Sequence, residues 1–216
     1  MSETVRIAGS VSAANDAIAR QNRLFFAAHG LRVLNLISSP GSGKTSILER
    51  MALTYGEKLA VITGDIQPTL DADRLKAAGA AAVQIETGGG CHLNAAMIQK
   101  ALKPMHFEAT RLLIIENVGN LVCPSTFDLG ELHKVAVLSV TEGDEKPAKY
   151  PALFTRADAV IVNKIDLLPY VSFAMARVRE DCAKLNSAAK LFPLSCTTGE
   201  GFEGWMEYCK GLERLE

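Results

Sequence analysis

A chain of 216 residues, 48% hydrophobic and 22% charged, has the composition of a folded globular protein and the length for one sizeable α/β core. Its formal net charge of −1 gives no overall electrostatic reason to expect nucleic acid or an anionic membrane as partner. No apolar run reaches the ~20 residues of a spanning helix, residues 1–9 lack the apolar stretch of a signal peptide, and five cysteines fit a reducing, cytoplasmic setting better than a disulfide framework.

In chain order, residues 11–29 place Val11, Ala14, Ala17, Ile18, Leu24 and Phe25 at helical spacing, with Gly30 as a C-cap. Residues 32–37 read as a first strand and 44–54 as the helix after it. Further strands are expected at 59–63, 81–85, 112–115, 135–140, 159–162 and 190–194. Helical segments are expected around 71–78, 92–102, 148–155, 170–185 and 201–212. No repeat, low-complexity tract or linker interrupts the chain, so residues 1–216 are expected to form a single domain. Strands that are apolar throughout are buried on both faces, which implies a mainly parallel sheet of about seven strands with helices on both sides. Ligands of such sheets bind beyond the carboxyl ends of the strands. The glycine-rich and polar clusters of this chain all fall there.

Ser38-Ser39-Pro40-Gly41-Ser42-Gly43-Lys44-Thr45 follows the first strand and opens a helix. A phosphate loop needs permissive residues that let successive N–H groups turn around an anion, with a helix N-terminus behind them. Gly41 and Gly43 supply the permissive positions, Lys44 can reach the β- and γ-phosphates, and the Thr45 hydroxyl suits Mg²⁺. The expected nucleotide contacts are therefore Pro40, Gly41, Ser42, Gly43, Lys44, Thr45 and Ser46. Ser38 departs from the glycine that usually opens this pattern.

The strand at 112–115 delivers Glu116 to the phosphate end, as Mg²⁺ coordination requires, with Gly119 free to turn its N–H towards a γ-phosphate. Asp65, after Gly64, is the candidate for orienting the attacking water or an Mg²⁺-bound water, with Asp71 as an alternative or a helix cap. Catalysis is thus assigned to Lys44, Asp65 and Glu116, and Mg²⁺ to Thr45, Asp65 and Glu116. Asn163-Lys164-Ile165-Asp166 selects the base. A carboxylate at Asp166 accepts from guanine N1–H and its 2-amino group, and adenine offers no such pair of donors. Ser195, Cys196 and Thr197 follow the last strand and are placed to offer a backbone N–H to the guanine carbonyl.

Cys91 and His92 end the third strand's loop, and Cys123 lies just past the Glu116 strand. On residue type alone these three are open to packing or to ligation of Zn²⁺ or Ni²⁺. Cys182 and Cys209, on helical segments, read as small buried hydrophobes.

The phosphate loop, Gly88-Gly-Gly-Cys-His-Leu-Asn-Ala95, Glu116-Asn-Val-Gly-Asn-Leu121, Lys146-Pro-Ala-Lys-Tyr-Pro151 and the Asn163 motif together resemble the HypB family of nickel-insertion GTPases in [NiFe]-hydrogenase maturation. The likeness runs from about residue 10 to the end of the chain. It implies the P-loop class of signal-recognition and MinD-like GTPases, kinship with the urease accessory GTPase UreG, and hydrolysis of GTP with Mg²⁺. It implies Ni²⁺ or Zn²⁺ at Cys91, His92 and Cys123, at the interface of a GTP-promoted homodimer in the cytoplasm. It further implies a nickel chaperone and a hydrogenase large-subunit precursor as partners. UreG-like proteins carry Cys-Pro-His instead of Cys-His with a separate cysteine.

Residues 1–30 hold no cysteine and only His29, so the N-terminal nickel store of some members is not expected. Asn94 stands where many relatives have Asp. Lys146 and Lys149 match a family segment whose lysines either contact nucleotide or face solvent. Three ligands cannot close a tetrahedral site, and adjacent residues strain to share one ion, so completion across a two-fold axis is expected. The alternatives are a urease-type nickel GTPase and a metal-storage or scaffold protein with structural nucleotide; Asp166 disfavours an ATP-dependent kinase.

Overall fold

The computed structural model describes residues 8–65 and 71–213. Seven strands form one sheet: β1 (Arg32–Ser38), β2 (Leu59–Asp65), β3 (Ala81–Glu86), β4 (Leu112–Glu116), β5 (His133–Ser139), β6 (Ala159–Asn163) and β7 (Lys190–Pro193). Their order is β3-β2-β4-β1-β5-β6-β7, and every neighbouring pair is parallel. Around it lie α1 (Ala8–Ala28), α2 (Lys44–Tyr55), α3 (Asp71–Ala77), α4 (Ala95–Leu102), α5 (Cys123–Thr126), α6 (Lys146–Lys149), α7 (Pro151–Phe154), α8 (Met175–Leu185) and α9 (Phe202–Glu213).

The two-residue period of β1 sorts its side chains to opposite faces. Leu34 and Leu36 enter one core with Ile47 and Met51 of α2 and Trp205 of α9. Val33 joins Phe26 of α1 and Ile98 of α4 on the other face, and Ile37 joins Leu153 and Phe154 of α7. β4 and β6 are buried at every position, so their apolar sequences are satisfied on both sides. Each valine, leucine or isoleucine among them contributes roughly 1.5–3 kcal/mol when fully buried. Cys182 and Cys209 are buried in two of these cores, as their helical positions implied.

β1 occupies the middle of the sheet, between β4 and β5. The carboxyl ends of β4, β1, β5, β6 and β7 therefore stand side by side, and the loops carrying the nucleotide candidates become neighbours. Among the described residues no helix is long and apolar enough to cross a membrane.

Local chemistry shifts several expected boundaries. α1 closes with Gly30 at φ 62, where Gly30 N–H reaches Ala27 O and Leu31 N–H reaches Phe26 O. The helix expected from residue 92 begins at Ala95, because Asn94 caps it by accepting from Met97 N–H at 2.9 Å. The single helix expected at 148–155 is two short ones, α6 and α7. Tyr150, which precedes Pro151, has φ −124 and ψ 53, outside the helical region that a following proline disfavours. The helix expected over 170–185 begins only at Met175 with α8; Tyr170 instead ends a 3₁₀ stretch, Ile165–Tyr170.

Candidate nucleotide and metal sites

The loop between β1 and α2 turns through Gly41 (φ 75) and Gly43 (φ 95), both in the left-handed region. Gly43 is required twice over, because a Cβ there would fall 2.4 Å from Asn163 Nδ2. Ser38 is the hub of the loop and not a defect in it. Its buried Oγ accepts from Ser42 Oγ (2.6 Å) and Lys44 Nζ (2.7 Å) and donates to Ser39 O (2.7 Å). A glycine could make none of these contacts, and nothing in the sequence pattern announced them.

Thr45 Oγ1 donates to Glu116 Oε1 at 2.9 Å, and Glu116 is only 7% exposed. A hydroxyl and a carboxylate meeting behind a phosphate loop are the hard oxygen donors that Mg²⁺ prefers. Gly119 packs on Pro40 so closely that a Cβ would lie 2.9 Å from the proline ring. Gly41, Gly43, Lys44, Thr45, Ser46, Glu116 and Lys164 line one cleft of about 330 Å³. Arg74 of α3 lines it too, in a two-bond pair with Glu49 at 2.7 Å, and was not singled out from sequence. Lys146 Nζ donates to Ser39 Oγ at 3.3 Å, whereas Lys149 is paired outward with Glu145. The side chains of Asp65 and Asp71 lie outside the described residues.

The loop after β6 is wired to the phosphate loop. Asn163 Nδ2 donates to Ser42 O (3.0 Å) and Lys164 Nζ to Gly41 O (2.7 Å). Lys164 holds φ 63, the one positive value outside glycine among the described residues. Ser195 Oγ donates to Asp166 Oδ1 at 2.6 Å and accepts from Thr197 N–H at 3.2 Å, which fixes the carboxylate. Arg50 Nη1 donates to Cys196 O at 2.6 Å, and burial pushes the Cys196 thiol up to about 11, so it stays protonated at neutral pH.

Cys91, His92 and Cys123 converge, with one ligand atom from each lying within 4.8 Å of the others. Cys91 Sγ is 3.5 Å from His92 Nδ1. Adjacent residues thus bring their ligand atoms into one cluster. The chain turns there through Gly88 (φ 60) and Gly89 (φ 93), which frees the two side chains to face the same way. One chain supplies three ligands, and a tetrahedral ion would need one more. His92 stacks on Phe127, with ring centroids 3.9 Å apart. Burial holds the His92 imidazole below its usual pKa and so in the neutral, ligating form. A hydrogen bond with Cys123 raises the Cys91 thiol above its ordinary range.

The metal loop reaches α5 by crossing the end of β2. Leu93, fully buried, passes over Gly64, where a Cβ would lie 2.7 Å from the leucine side chain. α1 then pins the two halves together. Asn15 accepts from Ala95 N–H (2.9 Å) and donates to Asp128 O (2.8 Å). Asn22 donates to Ala95 O (2.9 Å) and Leu129 O (3.0 Å). Sequence reading noted only the apolar face of this helix; the clue was two asparagines, Asn15 and Asn22, seven positions apart on it.

A hollow of about 750 Å³ lies between α1, α4 and residues 103–111 at the amino ends of the strands and holds none of the predicted site residues. Chemistry in parallel sheets gathers at the opposite ends, where the glycine loops are.

A family model described as the CobW/HypB/UreG nucleotide-binding domain matches residues 32–193. The chain is 48% identical over 196 residues to the hydrogenase maturation factor HypB of Escherichia coli (strain K12), covering 90% of this chain and 68% of that protein. This chain belongs to the HypB family. Two crystal structures of HypB proteins share its fold. That from Helicobacter pylori, in complex with nickel, is 43% identical with a TM-score of 0.89, covering 93% of this chain and 95% of that one. That from Archaeoglobus fulgidus is 38% identical with a TM-score of 0.87, covering 94% and 100%. The signal recognition particle 54 kDa protein of Aeropyrum pernix K1, 16% identical at TM-score 0.55 over 85% and 50%, shares the fold alone.

Proposed function

We propose that this HypB-family chain is a GTPase whose nucleotide state governs binding and release of nickel for [NiFe]-hydrogenase maturation. One observation carries the reading: the glycine loop after β1, the Asn163–Asp166 loop after β6 and the Cys91–His92–Cys123 cluster after β3 and β4 all lie at the carboxyl ends of one parallel sheet. The single domain of residues 1–216 would act in the cytoplasm with GTP, a nickel chaperone and a hydrogenase large-subunit precursor.

Asp166 accepts the two guanine donors, and the Cys196 N–H takes the guanine carbonyl, since the Thr197 N–H is committed to Ser195 Oγ. Lys44 leaves Ser38 Oγ for the β- and γ-phosphates and neutralises charge that develops on them. Mg²⁺, held by Thr45 and Glu116, would supply further neutralisation of the phosphate oxygens. Asp65 orients the attacking water.

Three ligands per chain leave the metal one short of a closed tetrahedral shell. A partner subunit in a GTP-promoted homodimer completes it, so occupancy follows nucleotide. Typical coupling of ~1–3 kcal/mol changes affinity ~5–150-fold, enough to load or unload Ni²⁺ or Zn²⁺. The test is metal affinity and oligomeric state with GDP and with a non-hydrolysable GTP analogue, beside a phosphate-release assay. Equal affinities in the two states would remove the switch, and no phosphate release would remove the GTPase.

A further inference from the structure

Asn117 stands directly after Glu116, and it is 1% exposed. Its Oδ1 accepts from Leu93 N–H at 3.1 Å and from Val118 N–H at 3.1 Å. Leu93 immediately follows the ligand His92, so one buried amide spans the gap between the strand end that bears Glu116 and the loop that bears the metal ligands. Its other end is anchored: Nδ2 donates to Asn35 Oδ1 (3.2 Å), and Asn35 Nδ2 donates to Glu131 Oε1 (3.2 Å). Glu131 Oε2 accepts from Leu129 N–H (2.7 Å), and Lys134 Nζ pairs with Glu131 and donates to Phe127 O (3.1 Å). Phe127 ends the turn that carries Cys123 and stacks on His92.

Both halves of the metal cluster therefore hang on one buried polar chain. That chain begins at the residue after Glu116. Asn35 is wholly buried in the middle of β1, among apolar neighbours, where an asparagine costs stability unless its hydrogen bonds are made. Packing alone would favour an aliphatic side chain at that place.

We propose that Asn117 is a positioning residue that transmits nucleotide state to the metal: movement of the Glu116–Gly119 segment on γ-phosphate binding shifts Leu93, and with it Cys91 and His92, relative to Cys123. This rests on the coupled reading proposed above. Leu93 is gripped on its side chain as well, over Gly64 at the end of β2. A displacement of either strand end moves the same residue.

The experiment titrates Ni²⁺ into the full chain, followed by thiolate-to-nickel absorption, with GDP and with a non-hydrolysable GTP analogue. The readout is the ratio of the two affinities, about 5–150-fold for typical coupling. Asn117→Ala is expected to bring that ratio to within about two-fold of unity, whereas Asn117→Asp, which keeps an acceptor for Leu93 N–H, retains most of it. A purely structural role would weaken nickel binding equally in both states and leave the ratio unchanged. Should Asn117→Ala fail to fold, Gly64→Ala, which presses Leu93 without removing a hydrogen bond, is expected to alter the ratio. A wild-type ratio preserved in the folded Asn117→Ala variant, or in Gly64→Ala if that is the one that folds, overturns the inference alone. A ratio of one in the wild type itself overturns the switch and this inference with it.

Discussion

Asn163 and Ser42 are joined by a 3.0 Å hydrogen bond from the side-chain amide of one to the carbonyl of the other. The loop after β6 is thereby tied to the glycine loop after β1, and the space between them is so narrow that only glycine fits at position 43. Gly43→Ala must either push Asn163 away or abandon a left-handed φ of 95. Strain of this kind costs ~1–3 kcal/mol, so nucleotide affinity is expected to fall by ~5–150-fold while the fold persists. Titration of a fluorescent guanine nucleotide checks it. Wild-type affinity in the variant would show that the two loops do not need their close approach.

In the proposed function the choice of base falls to Asp166. Ser195 donates to one carboxylate oxygen at 2.6 Å, which fixes the plane in which the group meets guanine. Asp166→Asn replaces one acceptor with a donor, opposite guanine's own 2-amino donor. GTP affinity is expected to drop by ~10²-fold or more, the cost of an unmade charged pair. Xanthosine triphosphate, with a carbonyl at that place, is expected to gain. Competition between the two nucleotides for each protein form measures the swap, and a variant still preferring GTP would move base selection elsewhere.

How much of this was legible in the sequence depends on the range of the interaction. The apolar runs of β1, β4 and β6 were readable because burial on both faces demands them at every position, and loop glycines were readable because φ is a local property. A parallel sheet allowed the loops of Cys91 and Cys123 to meet, but their joint role as ligands was readable only through family resemblance, since the strand order that puts the loops together has no local signature. Asn15, Asn22 and Asn35 were missed for a different reason. Each is a polar residue inside an apolar pattern, and its partners lie between 73 and 113 positions away. Periodicity averages such residues away as noise, and the break in the pattern was itself the signal.

The two sites are expected to separate by mutation. Lys44→Ala removes the cation assigned to the phosphates in the proposed function, and Lys44 is not one of the three clustered side chains. Phosphate release is expected to fall ~10²-fold or more, by analogy with loss of one preorganised charge-stabilising donor. Nickel binding by the isolated chain stays near wild type. Cys123→Ser does the reverse, because it removes one of three ligands and leaves the phosphate loop alone. Parallel phosphate-release and nickel titrations on both variants decide the matter. Loss of both activities in both variants would contradict a two-site molecule.

Acid should loosen the clamp between α1 and the metal half-site through Asp128. Burial alone would push this carboxyl up, but the Gly130 N–H (2.8 Å) and the Arg23 guanidinium (3.0 Å to both oxygens) outweigh it and hold the group below the usual range. A carboxyl depressed in the folded state binds its proton more readily when unfolded. Its contribution is therefore fully present above the ordinary Asp range, near pH 4, and is lost as pH falls through the depressed folded value. Both partners are about two-fifths exposed (42% and 39%), so screening keeps the pair within ~1 kcal/mol, or roughly 2–4 °C in Tm for a chain of this size. The expected result is a Tm gap between wild type and Asp128→Asn that is constant from pH 7 to about 5. It then closes as pH falls below ~4, where both forms carry a neutral side chain. Raising salt at pH 7 should narrow the gap without abolishing it, since the Gly130 hydrogen bond is not screened as the ion pair is. A gap that widens towards acid would mean that Asp128 is held protonated in the folded chain, and that the Arg23 pairing does not govern its charge.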